Sequence, residues 1–204
     1  MFSFSKFVRD LKSIKQAVLW ASLMFIGGML LGWFNTESLE QLLVSQLESL
    51  GEISRNLHES SNPQLGFFTF IFFNNAIKGV AMIFLGALLG VLPALFLIVN
   101  GAVIGYLIHQ SALAGQDLFT LIVKGLLPHG IIEIPAIVIA CAFGLQFGLR
   151  TANSLFRSKT REGAEGWSTF MRQTLTASFW VVILLLAAAV IESTLTFHLM
   201  SNAG

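Results

Sequence analysis

Apolar residues run along this chain in long unbroken stretches, not in the two- or three-to-four-residue alternation of a half-buried element. Residues 17–34 carry no charge at all. Residues 66–109 are interrupted only by Asn74, Asn75, Lys78 and Asn100. At about 1.5 Å per helical residue this second run reaches about 66 Å, twice the ~30 Å hydrocarbon thickness of a bilayer. It must therefore fold back, and Gly86, Gly90 and Pro93 mark the turn. The pattern predicts spans at 17–34, 66–89, 91–112, 128–149 and 174–199. Between the third and fourth, 118–127 is too short and too interrupted to cross, and is expected to be an interfacial or re-entrant piece. The expected fold class is all-α, a polytopic transmembrane helical bundle of five spans in one membrane domain.

The segments outside the spans differ in charge. Residues 1–16 form a basic arm with Lys6, Arg9, Lys12 and Lys15, and 150–173 a basic loop with Arg150, Arg157, Lys159, Arg161 and Arg172. Together they hold nine of the 12 Lys and Arg residues. Five crossings put both on one side, which the positive-inside rule makes cytoplasmic, with the C-terminus outside. The opening apolar run is too long, and Gly32-Trp33-Phe34 too poor a cleavage site, for a removable secretory signal. Residues 35–65 repeat Leu39, Leu43, Leu47, Leu50, Ile53 and Leu57 at helical spacing. Their polar face is acidic, with Arg55 the one basic residue, so an outer amphipathic helix is expected to cover its own spans or meet a partner rather than anionic lipid.

Composition agrees with this layout. The chain has 204 residues, 55% hydrophobic and 11% charged, with 19 Phe and one Tyr. A soluble domain carries about 25% charged residues. A net charge of +1 and a single cysteine, Cys141, exclude a charge-driven nucleic-acid binder and a disulfide framework. The primary partner is expected to be the lipid bilayer, and the distribution of Lys and Arg points to a cytoplasmic membrane.

Candidate chemistry lies in the polar residues of the spans, because a charge at mid-bilayer costs at least ~2.5–3.5 kcal/mol. Asn74, Asn75, Lys78, Asn100, His129, Glu133 and Glu192 fall mostly between the midplane and the outer surface. A shared polar cavity would solve their common desolvation problem. Within it Lys78 and Glu133 are expected to neutralise each other. His129 and Glu133, at i and i+4, are also a candidate ligand pair for a divalent metal ion, with Glu192 or His109 as a further ligand. Pro128 and Pro135 predict a broken or widened start to the fourth span. Four glycine pairs of the GxxxG type, Gly28/Gly32, Gly86/Gly90, Gly101/Gly105 and Gly144/Gly148, predict close packing within the bundle or a homodimer.

Asn74-Asn75, Asn100-Gly101 and the string Pro128-His129-Gly130-Ile131-Ile132-Glu133-Ile134-Pro135-Ala136 resemble the stage II sporulation protein M family, from about Phe67 to the end of the chain. The resemblance implies a five-span membrane component of a complex with two cell-wall-degrading partners, which localises or scaffolds those enzymes during engulfment of the forespore. Many relatives belong to organisms that do not sporulate. The expected function is thus a non-catalytic envelope scaffold that recruits wall-remodelling proteins such as cell-wall hydrolases. A transporter or a lipid- or metal-binding membrane protein built on the outer cavity, and an intramembrane metalloenzyme, are the alternatives.

Overall fold

The computed structural model describes residues 2–34, 51–53, 55, 57, 62–120, 122–123, 127–156 and 161–201. Among them the elements are all helical: α1 (Phe4–Ser13), α2 (Lys15–Phe34), α3 (Pro63–Leu85), α4 (Val91–Leu113), the single turn α5 (Leu118–Thr120), α6 (Leu127–Phe156) and α7 (Arg161–Ser201). Five are long and apolar enough to cross a membrane, over Lys15–Phe34, Pro63–Leu85, Val91–Leu113, Gly130–Leu155 and Gly166–Thr194. Their outward faces remain apolar, as with Leu19, Trp20, Leu23, Ile26, Leu30 and Leu31 of α2, all exposed in the isolated chain. Bilayer supplies the missing cover.

Helix boundaries follow from local chemistry. Asn62 caps α3, its Oδ1 accepting from the Leu65 N–H at 3.2 Å, and Pro63 opens the helix where no donor is needed. The α3–α4 hairpin turns through residues 86–90, with Leu89 at φ 58° and Gly90 at φ 75°. Pro93 follows in the first turn of α4, where its absent N–H costs nothing.

The glycine pairs interlock two by two. Gly28 and Gly32 of α2 lie against the backbone of Ile98 and Ala102, while Gly101 and Gly105 of α4 lie against Phe25 and Met29. Gly86 and Gly90 meet Gly144, Leu145 and Gly148 of α6. A Cβ at Gly32 would overlap the carbonyl of Ala102, and one at Gly86 that of Gly144. Each lock joins helices that run in the same direction, α2 with α4 and α3 with α6, as expected when small residues let backbones touch. All four motifs are thus used inside the chain. Behind them Ile83, Leu97, Ala140, Cys141, Phe143, Phe170, Val181 and Leu185 form the buried core.

Three expectations change. Within the expected basic arm 1–16, Phe4, Phe7, Val8 and Leu11 give a helix an apolar face. That helix folds back on α7, with Phe7 4% exposed and Trp180 donating to the Phe2 carbonyl at 3.1 Å. The fourth span is not broken at Pro135, because α6 runs continuously through it. One lost backbone bond in 30 residues is outweighed by the packing of 136–144, most of it fully buried. The basic segment 150–173 is mostly helix, as α6 reaches Phe156 and α7 begins at Arg161. It holds no proline, so both helices continue past the hydrocarbon. Of the outer helix expected over 35–65, the described positions 51–53, 55 and 57 are helical and the remainder up to 61 lies outside the described residues. The piece expected over 118–127 appears as the turn α5 and a further turn at 122–123.

Candidate functional site

The basic segments meet at one end of the bundle, as the four crossings between them require. Asp10 of α1 accepts from Gln173 Nε2 of α7 at 3.1 Å, and Arg150 of α6 donates to the Gly166 carbonyl of α7 at 3.2 Å. Between these bonds lies a cavity of about 470 Å³, lined by Ser13, Ile14, Gln146, Arg150, Gly166, Thr169 and Gln173. Phe170 holds the guanidinium in place, its ring centroid 4.6 Å from Arg150 Cζ. Phe147 braces that ring edge-on at 5.5 Å. Among the described residues, two charged atoms here are buried without a hydrogen-bond partner, Asp10 Oδ2 and Arg150 Nε. Asp10 is only 6% exposed, so the end of the bundle holds a carboxylate and a guanidinium that are both incompletely satisfied.

Sequence reasoning missed this cavity. Its signal was present as Gln146/Arg150 and Thr169/Gln173, two polar i, i+4 pairs on either side of the 157–160 connection, and Asp10, the one acid among the basic residues of α1. Treating 150–173 as loop hid the second pair.

The seven residues expected to share an outer cavity lie on α3, α4, α6 and α7. Asn74 and Asn75 are half-buried and bonded to each other, Nδ2 to Oδ1 at 3.3 Å. Asn100 turns back on its own helix, Nδ2 donating to the Phe96 carbonyl at 2.7 Å. Glu133 and Glu192 are half-buried on α6 and α7. His129 lies in α6, with its side chain outside the described residues. Lys78 is exposed on α3, as are Phe73 and Ile77 of the same helix. A second cavity, of about 310 Å³, sits at the opposite end between Asn62, Gln64, Leu65, Phe68, Val190, Ser193 and Thr194. None of the seven lines either cavity. Among the described residues no three His, Cys, Asp or Glu side chains converge as a metal cluster would. His109 packs against Trp33 with the two rings tilted by 31° and their centroids 5.1 Å apart.

Five apolar helices locked by glycine contacts, with polar groups gathered at the two ends, define a multi-pass α-helical membrane protein. The family model for stage II sporulation protein M matches residues 21–197, so the chain belongs to that family. An uncharacterized protein of Methanocaldococcus jannaschii is similar, 29% identical over 115 residues, which is 56% of this chain and 50% of the relative. The chain thus matches about half the length of that curated relative. No solved structure matches the chain.

Proposed function

We propose that the protein is a non-catalytic scaffold of the cytoplasmic membrane that holds envelope-remodelling partners by its transmembrane surface. The observation that carries this is Lys78. It stands 16th in the 23 residues of α3, about 6 Å along the axis from the helix midpoint, and it is exposed. Ionisable side chains at such depth almost always face protein or water. A neighbouring helix with an acceptor or a carboxylate would satisfy the ammonium, and Asn74, one turn away on the same side, adds a second polar contact. The family match supports a membrane role of this kind, since the stage II sporulation protein M family is thought to localise wall-degrading enzymes. By the positive-inside rule the end bearing α1, Arg150 and Arg172 is cytoplasmic, and the Asn62 end faces outward.

A photo-crosslinking residue at Ile77 tests the surface in native membranes. A discrete adduct that disappears in Lys78→Glu, with the melting temperature of the purified variant unchanged, is the expected result. Full complementation of a deletion strain by Lys78→Glu, with the adduct intact, would refute the proposal.

A further inference from the structure

The cavity at the basic end has the chemistry of a ligand site independent of the scaffold surface. It combines one half-buried guanidinium with a buried carboxylate one residue behind its wall, so its net charge is near zero while its two edges are opposite in sign. The Asp10 carboxylate fixes Gln173 by accepting from Nε2. That bond leaves Gln173 Oε1 as the acceptor still available on a residue of the lining. Thr169 and Ser13 add hydroxyls beside it, the Ser13 hydroxyl donating within α1 to the Asp10 carbonyl at 2.6 Å. At the other edge Arg150 has spent one N–H on Gly166 and one face of its guanidinium on Phe170, and it retains further donors. A simple anion would satisfy Arg150 and leave Asp10 worse off. A simple cation would do the reverse. A zwitterion with phosphate and ammonium groups a few bonds apart suits both.

Depth narrows the source. Gly90, at the tip of the α3–α4 hairpin, packs against Leu145, while Gly148 lies against Leu89 and Gly90. Leu88, Leu89 and Val91 of that tip are exposed, so hydrocarbon must reach this level. Gln146 and Arg150 lie within about one turn of it along α6, where headgroups begin. The volume of about 470 Å³ falls within the ~300–1,000 Å³ common for small-ligand pockets.

We infer that this cavity binds a phosphate ester carrying a primary ammonium, with Arg150 on the phosphate, Gln173 and Thr169 on the ammonium, and Asp10 as the positioning residue behind Gln173. An aminophospholipid headgroup from the adjoining leaflet and a free aminoalkyl phosphate share this chemistry.

The test uses the purified full chain in detergent with four probes: dihexanoyl phosphatidylethanolamine, phosphatidylglycerol and phosphatidylcholine, and soluble O-phosphoethanolamine. Adducts are read by native mass spectrometry and stabilisation by thermal shift. The ethanolamine lipid is expected to bind about tenfold or more tightly than the glycerol lipid, and to lose about tenfold in Arg150→Gln, the scale of one charge-assisted bond. Asp10→Asn should erase the preference for ethanolamine over glycerol while phosphate binding persists, a change that mere loosening of α1 would not produce. Arg172→Gln, at an exposed arginine outside the lining, should leave all four affinities unchanged. Binding of O-phosphoethanolamine as tight as that of the lipid would assign the site to a soluble ligand. Should Arg150→Gln fail to fold, Gln173→Leu carries the same prediction for the ammonium edge. Equal binding of the ethanolamine and glycerol lipids by the native chain, binding unchanged in Arg150→Gln and Asp10→Asn, or no adduct with any probe would overturn the inference. None of these results bears on the Ile77 adduct.

Discussion

Gly27 and Gly28 are neighbours in the same helix, yet they should answer an added methyl group in opposite ways. At Gly28 a Cβ would overlap the carbonyl of Ile98 in α4, whereas at Gly27 it would meet nothing within 4 Å. Gly28→Ala must push α2 and α4 apart or tilt them. A radial gap of about 0.5–1 Å forfeits a quarter to a half of each dispersion contact it opens. Overpacking of this kind costs about 1–3 kcal/mol. The gain in helix propensity, about 1 kcal/mol for glycine to alanine, is common to both variants and cancels in their difference. Gly28→Ala should thus be about 1–3 kcal/mol less stable than Gly27→Ala. In a chain of this length that corresponds to about 2–12 °C in melting temperature. Tryptophan fluorescence during heating, with both variants in one detergent, reads the difference. Equal melting temperatures would refute the interlocked α2–α4 packing, and a loss confined to membranes would point instead to dimerisation through the same glycines.

Two further expectations concern the hairpin and the core. Leu89 holds a left-handed φ of 58° while 51% exposed, so Leu89→Gly relieves ~1–2 kcal/mol of backbone strain at little loss of burial. Its melting temperature should rise by a few degrees and that of Leu89→Val should fall; a shift of both in the same direction would contradict the turn geometry. Cys141 is the sole cysteine and fully buried in α6, so a maleimide should label it only as the bundle melts. Labelling of the native protein at the rate of a free thiol would contradict the packing of α6.

The spans were legible because length and hydrophobicity alone decide whether a segment can cross. The hairpin at 86–90 was legible because a mostly apolar run of 44 residues, 66–109, is too long to cross once. What one segment cannot reveal is its neighbour. Gly28/Gly32 and Gly144/Gly148 look alike in sequence, and only the assembled bundle shows that the first pair meets α4 and the second meets the α3 hairpin. Pro135 misled for a related reason: local preference predicts a break, but the buried run from Ala136 onward holds the helix in register past it. The cavity at the basic end was hidden because Asp10 lies 163 residues from Gln173 and meets it only when α1 folds back on α7.

The sequence argument for one common polar pocket assumed that side chains in hydrocarbon must find each other. The structure offers a cheaper solution for neutral groups. Asn100 bonds to Phe96, Ser22 to Val18, Thr174 to Phe170, Ser178 to Thr174 and Thr194 to Val190, each on the carbonyl of its own helix. A carbonyl has two lone pairs and can accept such a bond without surrendering its place in the helix. An amide or hydroxyl therefore carries little information about tertiary neighbours. An ammonium differs, because a carbonyl of its own helix does not neutralise its charge. Among the polar groups of the spans, Lys78 is thus a stronger pointer to something outside the chain than the asparagines beside it. Arg150 points elsewhere, since it sits on another helix and shares no contact with Lys78. Substituting one should therefore leave the function of the other intact, and a variant at Lys78 that abolished headgroup binding would show that the two surfaces are coupled through α3 and α6.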